Sequence, residues 1–351
     1  MNIDNLFRET VKKNASDLHL IVGQPPIIRI NGALRPIQGA KTLTPSSIKE
    51  LVFDIITEKQ RENFLKNLDL DVSYEISNLA RFRINLYFEK GNIALAARVI
   101  PGVIPTMKDL IMPNIVYDLI RRDHGLILVT GPTGCGKSTS LASMIEFINN
   151  ERSLRIITLE DPIEFVFESK KSLISQRQLH TDMLNFESAL THVLRQDPNI
   201  IVVGEMRNLE TIASAVTLAE TGHLVLATLH THNAYQTVDR IIDIFPSHQQ
   251  NQIRLQLSMS LAGIISQKLI KRIKGGRLAV REVLVNIPAV GNMIRENKIS
   301  QIETVIQTNA EQGMFTMDQN LMELYRTGEI SLETTQANIL DEGMIDSHKR
   351  K

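Results

Sequence analysis

Hydrophobic and polar positions along this 351-residue chain follow two successive rhythms. In the first hundred residues the period is short. Ile27 to Ile30 and Leu34 to Ile37 read as strands flanking Asn31-Gly32, a dipeptide that favours a tight hairpin turn. Ala80 to Phe88 and Ile93 to Ile100 read as two more, joined by the polar turn Glu89-Lys90-Gly91-Asn92. A period of two puts Arg81, Arg83 and Asn85 on one face and Phe82, Ile84 and Leu86 on the other. One face is therefore expected in a core, and the other is expected to present basic groups. Strands alternating with helices over residues 1–104 predict an α+β domain.

Pro101-Gly102, Pro105 and Pro113 then interrupt the pattern, because proline removes a backbone donor and disfavours continuous helix. Residues 105–112 are the expected linker. Beyond it the rhythm changes. Leu126 to Thr130, Ile156 to Leu159, Ile200 to Val203 and Leu224 to Thr228 are continuous apolar runs separated by helical stretches, which suits a parallel sheet covered on both faces. After about residue 286 the spacing is helical, through Val290, Met293 and Ile294, then Ile299, Ile302, Val305 and Ile306, then Leu321, Leu324 and Tyr325. The expectation is a second, α/β domain over 113–351, ending in helices from about 287.

Composition narrows the function classes. Thirty-nine basic and 39 acidic residues give zero formal net charge, which removes the broad attraction that general nucleic-acid binders use, and no nucleic acid is expected as a partner. The one cysteine, Cys135, forms neither an internal disulfide nor a metal cage alone and suits a reducing cytoplasm. Apolar runs fall far short of the roughly 20 residues that cross a bilayer, so direct membrane insertion is not expected.

The most specific chemistry lies at Gly131-Pro132-Thr133-Gly134-Cys135-Gly136-Lys137-Ser138, which matches G-x-x-x-x-G-K-[ST] between an apolar strand and a helical stretch over Ser138 to Asn149. Glycines let the backbone aim several N–H groups at phosphate oxygens, and the following helix presents its positive end. Lys137 is expected to reach the β and γ phosphates, Ser138 to supply a hydroxyl to Mg²⁺, and residues through Thr139 to line the nucleotide. Cys135 at a helix start also admits a redox reading, set against that of a small loop-filling residue.

Carboxylates follow at strand ends. Glu205, after Ile200 to Val203 and Gly204, is the candidate general base, with metal contact through water because glycine stands where an aspartate is usual. Glu160 leads the cluster Glu160-Asp161-Pro162-Ile163-Glu164 and is read as polarising water or metal, against the alternative of an acidic turn. Thr221-Gly222-His223 precedes the run Leu224 to Thr228, and Leu229-His230-Thr231-His232 follows it. His223 and His230 are the candidate γ-phosphate sensors; zinc lacks a complete ligand set here.

In this order, the phosphate loop, Thr158 to Glu164, Gly204-Glu205-Met206-Arg207 and Thr221 to Thr231 resemble the secretion ATPase superfamily. Within it the chain is similar to the retraction ATPases of type IV pili over nearly its whole length, including Ala15-Ser-Asp-Leu-His-Leu20 and Arg81-Phe-Arg83. Pilus and type II secretion assembly ATPases carry a longer N-terminal region and a four-cysteine zinc element. Assembly ATPases and accessory retraction ATPases remain the alternatives. The resemblance implies a RecA-like P-loop NTPase core behind an α+β PAS-like N-terminal domain, with ATP and Mg²⁺ bound. It also implies a homohexamer in which Arg81, Arg83 and Arg98 reach a neighbour's γ-phosphate as arginine fingers, set against solvated strand arginines. An inner-membrane pilus platform protein of the PilC type and a PilU-like ATPase are the implied partners, at the cytoplasmic face of the inner membrane. The family signature Ala-Ile-Arg-Asn-Leu-Ile-Arg-Glu stands here as Ala289-Val-Gly-Asn-Met-Ile-Arg-Glu296, with Gly291 in place of the first arginine. A nucleoside kinase would share the loop but fits the acidic and histidine motifs poorly, and a helicase would show basic, aromatic-bearing channel loops, against zero net charge and 5% aromatic residues here.

Overall fold

The computed structural model describes residues 2–341 and 343–345, apart from Asn31, Asn78 and Pro101. The turn residue Asn31 and the linker residue Pro101 thus lie outside the described residues. The chain divides into two compact units, one of residues 1–103 with 162–166, the other of residues 104–161 with 167–351.

The first unit contains α1 (Ile3–Lys12), β1 (Asp17–Leu20), β2 (Ile27–Ile30), β3 (Ala33–Pro36), α2 (Pro45–Phe53), α3 (Glu58–Asn67), β4 (Asp69–Ile76), β5 (Ala80–Glu89) and β6 (Asn92–Ile100). Its sheet is antiparallel, in the order β3-β2-β1-β6-β5-β4. The alternation along β5 divides the faces as expected. Phe82, Ile84 and Leu86 are buried in an apolar cluster with Phe7 of α1, Ile48 and Val52 of α2 and Phe64 of α3, and Phe7 stacks on Phe82 at 4.2 Å between ring centroids. Arg83 pairs in register with Arg98, and Arg98 with Asp17, on the other face.

The second unit contains α4 (Asn114–Ile120), β7 (Gly125–Thr130), α5 (Lys137–Glu151), β8 (Arg155–Glu160), β9 (Leu173–Gln178), α6 (Phe186–Val193), β10 (Ile200–Val203), α7 (Leu209–Glu220) and β11 (Leu224–Leu229). It continues through α8 (Ala234–Asp243), α9 (Ser247–Ser260), β12 (Leu261–Lys271), β13 (Arg277–Val285), α10 (Pro288–Arg295), α11 (Ile302–Thr308), α12 (Met317–Arg326) and α13 (Leu332–Gln336). The sheet runs β13-β12-β7-β11-β10-β8-β9, parallel except for β13 at one edge. β7, β10 and β11 are buried along their full length, because helices cover both faces of a parallel sheet.

In this unit three strands, β9, β12 and β13, were not singled out by the hydrophobic pattern, nor were β1 and β4 in the first. In β12 the polar residues Ser266 and Gln267 interrupt an otherwise apolar run although both are buried, and Gly275-Gly276 turn the chain into β13. Residues 104–112 pack with the second unit. Met107 and Met112 enter its core, and buried Arg281 donates to the carbonyls of Leu110 and Ile111 at 3.0 and 3.2 Å. Among the described residues no helix is long and apolar enough to cross a membrane.

Candidate nucleotide-binding site

The loop between β7 and α5 is shaped by a brace from β12. Gly131 has φ 144, and a Cβ there would lie 2.2 Å from the carbonyl oxygen of Gln267 and 2.6 Å from Cys135 Sγ, so only glycine fits. Gln267, buried on β12, accepts from Ser140 Oγ at 2.9 Å and donates through Nε2 to the Cys135 carbonyl, also at 2.9 Å. The loop's backbone is thereby fixed against the sheet on one side and against α5 on the other.

α5 begins at Lys137 after Gly136, and no side chain caps it. Its first N–H groups therefore keep their donor capacity at the positive end of a 15-residue helix, which suits phosphate oxygens. Lys137 is buried, with Nζ donating to the carbonyls of Gly131 at 2.7 Å and Pro132 at 3.2 Å. Ser138 and Thr139 follow in the same turn, half-buried. Thr133 and Gly134 are exposed at the loop's tip. Burial pushes the Cys135 thiol up, against the lowering influence of Lys137. A thiol shifted that way is a poor nucleophile, so the redox reading gives way to that of a packed loop residue.

Parallel pairing brings the C-terminal ends of β7, β11, β10 and β8 side by side, and three expected residues meet there. His230, just past β11, has Nε2 2.9 Å from Glu205 Oε1, and its Nδ1 lies 3.5 Å from Lys137 Nζ and 3.4 Å from Thr133 Oγ1. One imidazole thus joins the loop lysine to the candidate base. Arg207 donates to Glu205 Oε2 at 2.8 Å and lies 3.4 Å from Asp161 Oδ2. Burial raises the Glu205 pKa, but the Arg207 hydrogen bond and charge, with His230 and Lys137, outweigh it and hold the carboxyl below its ordinary value. Glu205 is an ionised acceptor at neutral pH, suited to orienting an attacking water.

Glu160 ends β8, with Oε1 accepting from Thr158 Oγ1 at 2.6 Å and Gln176 Nε2 at 3.0 Å. The crowding of acids there is offset by Arg207 against Asp161, while Glu164 falls in the 162–166 stretch that belongs to the first unit. Among the described residues no group of three or more His, Cys, Asp or Glu is arranged to hold a metal ion.

His223 is not brought to the loop within this chain. It precedes β11 at the opposite end from His230, about 20 Å away by the rise of a six-residue strand, and its Nδ1 lies 3.2 Å from the Leu218 carbonyl. Of the three strand arginines, Arg98 pairs with Asp17 at 2.9 Å and Arg81 with Glu75 at 3.8 Å, both inside the first unit. Two residues of evident importance had no role assigned from sequence. Arg207 stood in a recognised motif with no partner visible, and Gln267 was signalled only by a polar residue inside an apolar run.

A buried parallel sheet whose strand ends gather a phosphate loop, a carboxylate and a histidine defines a P-loop nucleotide-binding protein. The model of the type II/IV secretion system protein family matches residues 111–337. The type IV pilus retraction ATPase PilT of Pseudomonas aeruginosa is 46% identical over 336 residues, covering 96% of this chain and 97% of that protein. A twitching motility protein of Neisseria gonorrhoeae is 47% identical over 336 residues, covering 95% and 90%. A crystal structure of the pilus retraction motor PilT with bound ADP superposes with a TM-score of 0.92 at 44% identity, covering 99% of both chains. The chain belongs to the type II/IV secretion system protein family, on its PilT branch.

Proposed function

We propose that this chain hydrolyses ATP and uses the energy to retract type IV pili. The observation that carries this is the chain Lys137–His230–Glu205–Arg207, which links the phosphate loop to an ionised carboxylate at the next strand ends. The backbone N–H groups of Gly131 and of residues 133–139 and the Lys137 ammonium take the phosphate oxygens, in place of the loop carbonyls that hold Lys137 here. Glu205 orients the attacking water, and His230 reads the terminal phosphate because it touches both Lys137 and Glu205. Mg²⁺ fits the hydroxyl donor of Ser138 and a water on Glu205, and when bound it neutralises charge on the terminal phosphates. Glu160, already held by Thr158 and Gln176, polarises water at the rim.

In this reading six copies form a ring, and Arg81, Arg83 and Arg98 serve the nucleotide of a neighbouring copy. Hydrolysis changes the ring's shape, and the motion passes to an inner-membrane platform protein of the PilC kind, with a PilU-like ATPase acting alongside. Similarity along nearly the full length to proteins named for pilus retraction and twitching motility supports this assignment over an assembly ATPase. In a strain lacking the gene, complementation with wild type restores twitching and a normal pilus number, whereas Lys137→Ala leaves cells hyperpiliated and immotile. Normal retraction by the Lys137→Ala strain would refute it.

A further inference from the structure

Three polar side chains lie next to one another across the sheet, directly behind the phosphate loop. Thr130, the last residue of β7, pairs with Ser266 of β12, and Ser266 pairs with Glu282 of β13. Directly opposed residues point to the same side of a sheet, and Thr130 Oγ1 is 2.8 Å from Ser266 Oγ. All three are buried, Glu282 to 7% exposure. Glu282 closes the row with an ionisable group. Its Oε1 accepts from the N–H of Ala234, the first residue of α8, at 2.8 Å, and the N–H of Met317, the first residue of α12, is near enough to its carboxyl to favour the charged form. α8 starts four residues beyond His230, and α12 belongs to the C-terminal apolar cluster of Ile270, Leu278, Leu321 and Ile330.

We propose that Glu282 is a positioning residue for hydrolysis: by gripping the first turns of α8 and α12 at the end of the row Thr130, Ser266 and Glu282, it ties the segment bearing His230 to the C-terminal helices. The proposal rests on the reading of the site given above. A displacement of α12 is felt at His230, and occupancy of the phosphate loop is felt at α12. Two helix N-termini favour the charged carboxylate. Burial opposes this and pushes Glu282 up to about 7, with Glu303 of α11 and Asp318 of α12, the charged groups that face it, adding to the rise. Asp318 is itself engaged by the N–H groups of Leu340 and Asp341. The carboxylate is an acceptor toward both helices; protonation turns one oxygen into a donor and weakens the hold on the helix it faces.

The test is hydrogen exchange of the full-length protein, read on peptides covering Ala234 and Met317. In wild type, protection of at least one of the two amides, corrected for intrinsic rates, falls as pH drops from about 8 to about 6. In Glu282→Gln, nearly isosteric and uncharged, protection stays low and independent of pH. The same variant lowers kcat about fivefold at the alkaline end while KM for ATP changes less, and it flattens the Glu282-dependent part of the kcat–pH profile. Unchanged protection across that range in wild type overturns the proposal and needs no variant to fold. A kcat–pH profile of Glu282→Gln superimposable on that of wild type overturns it too. Amide exchange is independent of turnover, so an inactive wild-type protein refutes the ATPase reading separately.

Discussion

At the scale of single residues, His230 is held from two sides, by Glu205 Oε1 at Nε2 and by Lys137 and Thr133 at Nδ1. A donated Nε2–H leaves Nδ1 as an acceptor, so the ring passes polarity from the lysine to the carboxylate. Glu205→Gln keeps the shape but loses the ionised acceptor. Steady-state turnover is expected to fall about 10²- to 10⁴-fold with ATP affinity retained, as measured by titration calorimetry. Glu282 makes a prediction of opposite electrostatic sign. Its folded pKa, about 7, stands above its ordinary value of 4.5, so the charged form is disfavoured in the fold and stability rises as pH falls through 7 toward 4.5. The full effect is about 3 kcal/mol at most. Thermal denaturation between about pH 8 and about pH 5.5 should therefore show a smaller pH-dependent change in Glu282→Gln than in wild type.

At the scale of elements, the family signature helix is the informative case. Gly291 lies buried in α10, and a Cβ there would sit 3.2 Å from the Ser258 carbonyl in the last turn of α9. Asn286 fastens the same junction, donating to the carbonyls of Ser258 and Leu261 at 2.9 Å each. The glycine that departs from the signature thus lets α10 press closely on α9. Gly291→Arg, which restores the signature, should overfill this contact, destabilise the protein by about 1–3 kcal/mol and lower Tm by several degrees in a thermal melt.

Sequence revealed elements where one physical signal dominated. The strands β7, β8, β10 and β11 are unbroken apolar runs, and the alternation of Phe82, Ile84 and Leu86 with arginines fixed the face of β5. β12 and β13 escaped because buried polar residues, Ser266, Gln267 and Glu282, break the apolar pattern, and their justification is long-range. Ser266 bonds Thr130 across 136 positions, and Gln267 bonds Cys135 across 132. The candidate site was legible through the spacing of Gly131 to Ser138 and through carboxylates at strand ends. Partner choice was not. That Arg207 clamps Glu205, or that His230 rather than His223 reaches the loop, depends on which strand ends adjoin.

At the scale of the whole molecule, two units with separate apolar cores carry different surfaces. The first shows a sheet face of arginines partly matched by Asp17 and Glu75; the second carries the phosphate loop, with its outermost helices held on the β12–β13 hairpin. Zero net charge means that any ring assembles by local complementarity rather than by bulk attraction. Nucleotide bound by the folded loop but not by the unfolded chain stabilises the whole. ADP at about 100 times its Kd should add about 2.7 kcal/mol, visible as a raised Tm that Lys137→Ala does not show.

The most direct measurement is magnesium-dependent ATP turnover by the purified full-length protein, wild type beside a Lys137→Ala variant shown by circular dichroism to be folded. The account predicts turnover that requires magnesium and falls on the order of 10²- to 10³-fold in the variant. Equal turnover by the two proteins, or no nucleotide binding by wild type in any assembly state, would contradict it.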